Sequence, residues 1–85
     1  DRDTLEREGI PLIDMNATGQ NICRLRENVG LSVKELQEKL ELASPQAIYR
    51  WQRGETVPSI DNLIILADVL GVTIDEIVVR KEDDY

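Results

Sequence analysis

The chain has 85 residues, 41% hydrophobic and 32% charged, the size and make-up of one small globular domain rather than of a disordered segment. It has no histidine and one cysteine, Cys23, which excludes zinc sites of the usual kind, His-based nucleophile–base pairs and an internal disulfide. The formal charge of −7 is unevenly spread: basic and acidic side chains number two and five over residues 1–17, six and four over 18–54, and two and eight over 55–85.

Residues 1–15, DRDTLEREGIPLIDM, stand outside the helical pattern that follows, because Gly9 and Pro11 break any helix begun at Thr4. Ile10, Leu12 and Ile13 are too apolar for a solvated tail, so Ile10–Asp14 is expected to pair as a strand with Val78–Lys81, within one chain or across two. The alternatives are an ordered arm over the core and a disordered tail.

A first helix is expected over Thr18–Val29, with Ile22, Leu25 and Val29 as its stripe and Gly30 closing it. Cys23 sits one step off that stripe, where a half-exposed thiol without special role is expected.

Ser32 to Gly54 reads as two short helices joined by a tight turn. Ser32 with Glu35 three residues on is a capping box, and Val33, Leu36 and Leu40 fall on one helical stripe. Ser44-Pro45 opens the next helix, serine as N-cap and proline at the first helical position. Ile48 and Trp51 supply its inner face, and Gly54 ends it. The other face carries Gln46, Tyr49, Arg50 and Arg53, side chains suited to reading base edges and phosphates. This is also the net-positive part of the chain, and local field decides where a polyanion docks.

Gly54 to Pro58 is a turn, after which Ser59 caps a fourth helix with the stripe Ile60, Leu63, Leu66, Ala67 and Leu70, stopped by Gly71. Thr73 and Glu76 form a second capping box for a fifth helix, with Ile74 and Ile77 inward and Val78–Lys81 either ending it or running on extended. The fold class is all-α, a compact five-helix bundle with a short pairing of its two ends. It divides into an arm (1–15), the helical domain (16–81) and an acidic tail (82–85).

Enzymatic function is not expected. Ser32, Ser44 and Ser59 each stand where a helix starts, and the 17 acids are scattered as on a solvated surface. No cofactor, metal ligand or small-molecule cavity is visible in the pattern. No apolar run approaches the ~20 residues of a membrane span, and no leader is recognisable, so the cytoplasm is the expected compartment.

GLSVKEL followed by IYRWQRGETVPSIDNLIILADVLGVTIDEI resembles the phage repressor and Cro type of helix-turn-helix protein, the xenobiotic-response-element (XRE) family. The likeness runs from Thr18 to Val79, and its strength lies in the ordered set: Gly-Leu-Ser, an aromatic and a glycine ending the third helix, Pro-Ser, and Leu-Ala-x-x-Leu-Gly-Val. It implies a lambda-repressor-like fold, double-stranded DNA as partner, a third helix in the major groove and a homodimer on a near-palindromic operator. Carried over, it places Pro45, Gln46, Tyr49 and Arg50 on bases, and Ser32, Val33, Lys34, Ser44, Arg53 and Thr56 on phosphate.

The chain departs from that pattern at four points. The turn Glu41-Leu42-Ala43 is one residue longer than the commonest form, and Val33 replaces a polar residue. Arg26 faces Gln52 rather than a glutamate, an exchange expected to leave a hydrogen bond and free Arg26 for phosphate. Glu55 stands unfavourably beside the expected phosphate contacts. A rival reading from another class is a protein-interaction or antitoxin-like adaptor, motivated by the −7 charge and the apolar Ile10–Ile13.

Overall fold

The structure, a computed structural model, describes residues 13–81. Five helices follow in order: α1 (Met15–Asn28), α2 (Val33–Lys39), α3 (Gln46–Arg53), α4 (Ile60–Leu70) and α5 (Ile74–Ile77). α1 packs on α3 and α5, and α4 packs on α5. Between them lies one core of Ile22, Leu25, Leu36, Leu40, Ile48, Trp51, Leu63, Leu66, Leu70 and Ile77. None of these helices is long enough to hold in water alone, so their packing is what stabilises them.

Helix starts follow the capping residues. Ser32, Ser59 and Thr73 accept from the backbone amides three residues on, and both capping boxes are complete. α1 starts three residues earlier than its apolar stripe indicates, because Asp14 takes the N-cap and accepts from Ala17 N at 3.0 Å. α3 departs from expectation. Pro45 already has helical dihedrals and no side-chain cap, while Ser44 Oγ accepts from Gln46 N only at a long 3.4 Å. The proline's fixed φ, rather than the serine hydroxyl, sets that start.

Helix ends share one device. After α1, α2, α3 and α4 a left-handed residue is followed by one whose amide reaches back to a carbonyl of the last turn: Leu31 to Arg26 O, Leu42 to Gln37 O, Glu55 to Arg50 O and Val72 to Ala67 O, at 2.9–3.1 Å. This is the Schellman closure, which satisfies orphan carbonyls. The left-handed residue is glycine after α1, α3 and α4, but after α2 it is Glu41 at φ +56°. A residue with a Cβ is strained there by roughly 1–2 kcal/mol. The helix-turn-helix turn therefore holds its shape against a local cost.

The two ends of the described chain meet. Ile13 and Arg80 form an antiparallel bridge, and Asp14 N donates to Val79 O at 2.8 Å. The expected pairing is present within one chain, as a single bridge; residues 10–12 of that segment lie outside the described residues. Thr18, expected to open α1, is instead buried in its first turn, where its hydroxyl accepts from Val79 N at 2.9 Å. Asn21 Nδ2 adds bonds to the carbonyls of Glu76 and Ile77. α1 thus holds the C-terminal segment by side chains as well as by packing.

Three apolar residues expected to face inward do not. Val29 is 46%, Ile60 68% and Ile74 37% exposed. Each stands at a helix end, beyond the reach of the helix packed against it. With Ile64 and Ile65, also exposed, α4 presents an apolar outer face. No helix among the described residues is long and apolar enough to cross a membrane.

Candidate nucleic-acid interface

α3 has two unlike faces. Ile48 and Trp51 are buried in the core, at 0% and 3% exposure. Gln46, Tyr49, Arg50 and Arg53, spaced i, i+3, i+4 and i+7, are exposed on the other side. The arrangement follows from the sequence period: apolar positions three apart dictate which way the helix turns, and the polar set is left outward.

What fixes α3 in place is α1. At Gly19 the two helices meet backbone to backbone: a Cβ there would clash with the Trp51 carbonyl oxygen and lie 3.0 Å from Trp51 C and 3.1 Å from Gln52 C. At the far end Gly54 takes φ +78° and packs against Asn16, so that a Cβ would strike the Asn16 side chain. One glycine sets the crossing and the other the exit of the chain. Gly19 is the residue that pattern reading missed; its signal was a lone glycine inside a helical stretch, which marks close approach.

Arg26 completes the anchor. Its Nε donates to Gln52 Oε1 at 3.2 Å, its Nη1 to Leu31 O at 2.7 Å, and its Nη2 lies 3.6 Å from Cys23 Sγ and 3.8 Å from a Glu27 carboxylate oxygen. The expectation that Gln52 would free Arg26 for phosphate is not met. All three guanidinium nitrogens are engaged, the side chain is 13% exposed, and it ties α1 to α3 and to the entry of α2.

The residues expected on phosphate occupy the start of α2 and the two flanks of α3. Ser32 and Lys34 are exposed; Val33 is half-buried and packs on the core, leaving its amide as its polar group. Ser32 is already committed: its amide donates to Glu35 Oε1 at 2.9 Å, and its hydroxyl accepts from Glu35 N at 3.0 Å. The amide of Ser32, then its hydroxyl, hold the Glu35 carboxyl below its usual range, with a smaller effect from Lys39. The amides of Val33 and Lys34 are the ones this box leaves open. Ser44 and Thr56 are exposed, and Pro45 is half-buried.

Arg53 and Glu55 form an ion pair across the end of α3, Nε to Oε2 at 2.6 Å, each side chain about half exposed. The hydrogen bond from Arg53 is the main reason the Glu55 carboxyl is lowered, and Arg50 adds a weaker pull in the same direction. The same bond raises the Arg53 guanidinium above its ordinary value.

A capped short helix, a Schellman turn and a second helix anchored from behind with a polar face outward define a helix-turn-helix module. The helix-turn-helix family model matches residues 24–77, more than half of the chain. The chain belongs to that family, in its XRE branch of DNA-binding transcription regulators. Among solved structures it is similar to the restriction-modification controller protein C.AhdI from Aeromonas hydrophila, at 28% identity over 75% of this chain and 96% of that one, TM-score 0.68. It is also similar to the biofilm master regulator SinR, solved in complex with DNA, at 30% identity over 68% of this chain and 92% of that one, TM-score 0.62. Hydroxypropylphosphonic acid epoxidase from S. wedmorenis shares the fold alone: 22% identity, TM-score 0.69, over 78% of this chain but 35% of that enzyme. No curated protein matches the chain.

Proposed function

We propose that the chain is a sequence-specific regulator that sets α3 in the major groove of double-stranded DNA, as a homodimer in the cytoplasm. The observation that carries this is the outward polar face of α3 over a rigid back, with Ile48 and Trp51 buried and Gly19 against the Trp51 backbone. Gln46 has the two-sided amide that pairs with adenine, and Arg50 the fork that fits guanine. Pro45 and Tyr49 line the same approach. Phosphate on one side meets the Ser32 hydroxyl, the Lys34 side chain and the open amides of Val33 and Lys34, and on the other Ser44, Arg53 and Thr56. The similarity to SinR, which was solved on DNA, supports the reading.

One such module contacts too few bases to discriminate well, and two on half-sites multiply the discrimination. The exposed Ile60, Ile64 and Ile65 of α4 favour a second copy there. Ile64→Lys is expected to convert a sedimenting dimer to monomer; an unchanged dimer moves the contact elsewhere.

The test of the main reading is selection of bound duplexes from a random pool, followed by Arg50→Ala. Enrichment of a two-fold motif and a loss of about 1–3 kcal/mol confined to one base position are expected. No enrichment at any salt concentration favours the adaptor reading, in which the acidic segments bind a basic protein.

A further inference from the structure

The ion pair at the end of α3 opposes the function assigned to its arginine. Arg53 stands on the outer face of α3 with Gln46, Tyr49 and Arg50, where a phosphate would meet it. Yet its Nε already donates to a carboxylate oxygen of Glu55 at 2.6 Å. The two side chains are half exposed, but the backbone that brings them together is not a loose loop. Glu55 is held by the Schellman closure of α3, its amide donating to Arg50 O at 2.9 Å while Gly54 N donates to Trp51 O at 3.0 Å. The backbone that carries the acid is therefore fixed relative to the helix that carries the base. A carboxylate and a phosphate present the same chemistry to a guanidinium, two anionic oxygens at hydrogen-bond distance.

We propose that Glu55 is an internal competitor for Arg53: its carboxylate occupies on the guanidinium the place a DNA phosphate would take, so that duplex of any sequence must displace it to gain that contact. This rests on the DNA-binding reading above and adds to it a residue that sets its strength. The exchange replaces one ion pair by another and leaves the Glu55 carboxylate facing the polyanion. Both effects weaken binding. Among the described residues Arg50 and Gln46, which address bases, have no such carboxylate bond, so a larger share of the binding falls to sequence-reading contacts.

The experiment uses the full chain and a labelled 20-base-pair duplex of mixed sequence, titrated by fluorescence anisotropy at several salt concentrations from about 50 mM upward. Four proteins are compared: wild type, Glu55→Gln, Arg53→Gln and the double variant, with circular dichroism to check that each is folded. Glu55→Gln is expected to tighten binding about 3–10-fold at the lowest salt and to steepen the salt slope by about 0.9, one more phosphate neutralised. Arg53→Gln is expected to weaken binding in both backgrounds, and by more beside Glu55→Gln, where it abolishes most of the gain. A gain from Glu55→Gln that persists undiminished beside Arg53→Gln would reduce Glu55 to a general negative charge and overturn the competitor role while leaving DNA binding intact. No gain at all overturns it equally. If wild type and Glu55→Gln both ignore duplex at every salt concentration, the DNA-binding reading itself falls, and the competitor with it.

Discussion

Gly19→Ala isolates the contact on which the pose of α3 depends. In an exposed helix the change would stabilise, by about 1 kcal/mol, because alanine is the better helix former. Here the new Cβ would clash with the Trp51 carbonyl oxygen and crowd the backbone of Trp51 and Gln52 at 3.0 and 3.1 Å. Backbone cannot rotate away as a side chain can, so α1 and α3 must separate. Overpacking costs typically 1–3 kcal/mol, and a clash with backbone belongs at the upper end. After the propensity gain, a net loss of about 1–2 kcal/mol remains. For a domain of this size each kcal/mol lowers Tm by roughly 4–8 °C, so a fall of about 5–15 °C is expected. Thermal melting followed by the fluorescence of the single tryptophan, Trp51, reads both the loss and the altered surroundings of α3. Gln20→Ala, one residue on and exposed, is the control and should stay within about 0.5 kcal/mol of wild type. A Gly19→Ala protein as stable as wild type, or more so, would refute the backbone contact as the anchor.

Arg26→Ala should cost about 1–3 kcal/mol in urea unfolding, because it strips the Leu31 carbonyl and Gln52 of their partner. Unchanged stability with weakened DNA binding would instead make Arg26 a phosphate contact. Glu41→Gly should raise stability by about 0.5–1 kcal/mol by relieving the left-handed strain, and an Asn variant should fall between; a loss in both would show that the turn carries no strain. The lowered Glu35 carboxyl gives a pH signature. A depressed folded-state pKa contributes stability above the unfolded value, here 4.5, which is lost as pH falls through the folded one. The Tm gap between wild type and Glu35→Ala should therefore be full at neutral pH and shrink below about pH 4.5. A gap constant down to pH 3 would sink the capping account.

α3 was legible because its markers are local. Pro45, Ile48, Trp51 and Gly54 mark a start, an inner stripe and an end within ten residues of chain, and the polar face is what is left. Ser32, Ser59 and Thr73 likewise cap within their own turn. What periodicity misjudged lies where a helix outruns its neighbour. Ile60 and Ile74 are each the first residue of their helix, on the correct stripe but past the edge of the core. What it could not supply depends on which elements cross. Gly19 matters because the Trp51 backbone lies on it, Thr18 because Val79 returns to it, and Arg26 because Leu31 and Gln52 converge there. Of these partners only Leu31, five residues from Arg26, is near in sequence. The Arg53–Glu55 pair lies between: both residues were visible as opposed charges, but only the closed turn between them fixes their meeting.

The bridge between Ile13 and Arg80 makes the module portable. Entry and exit of the helical unit lie side by side, joined by the 2.8 Å bond from Asp14 to Val79. A unit attached through one such gate can be carried by a larger polypeptide without threading it through the host, as its recurrence within a much longer epoxidase chain illustrates. Joining residues 13 and 80 by a short peptide and opening the chain elsewhere, at the exposed Gly71, would leave the α2–turn–α3 unit unbroken at the cost of the closure of α4.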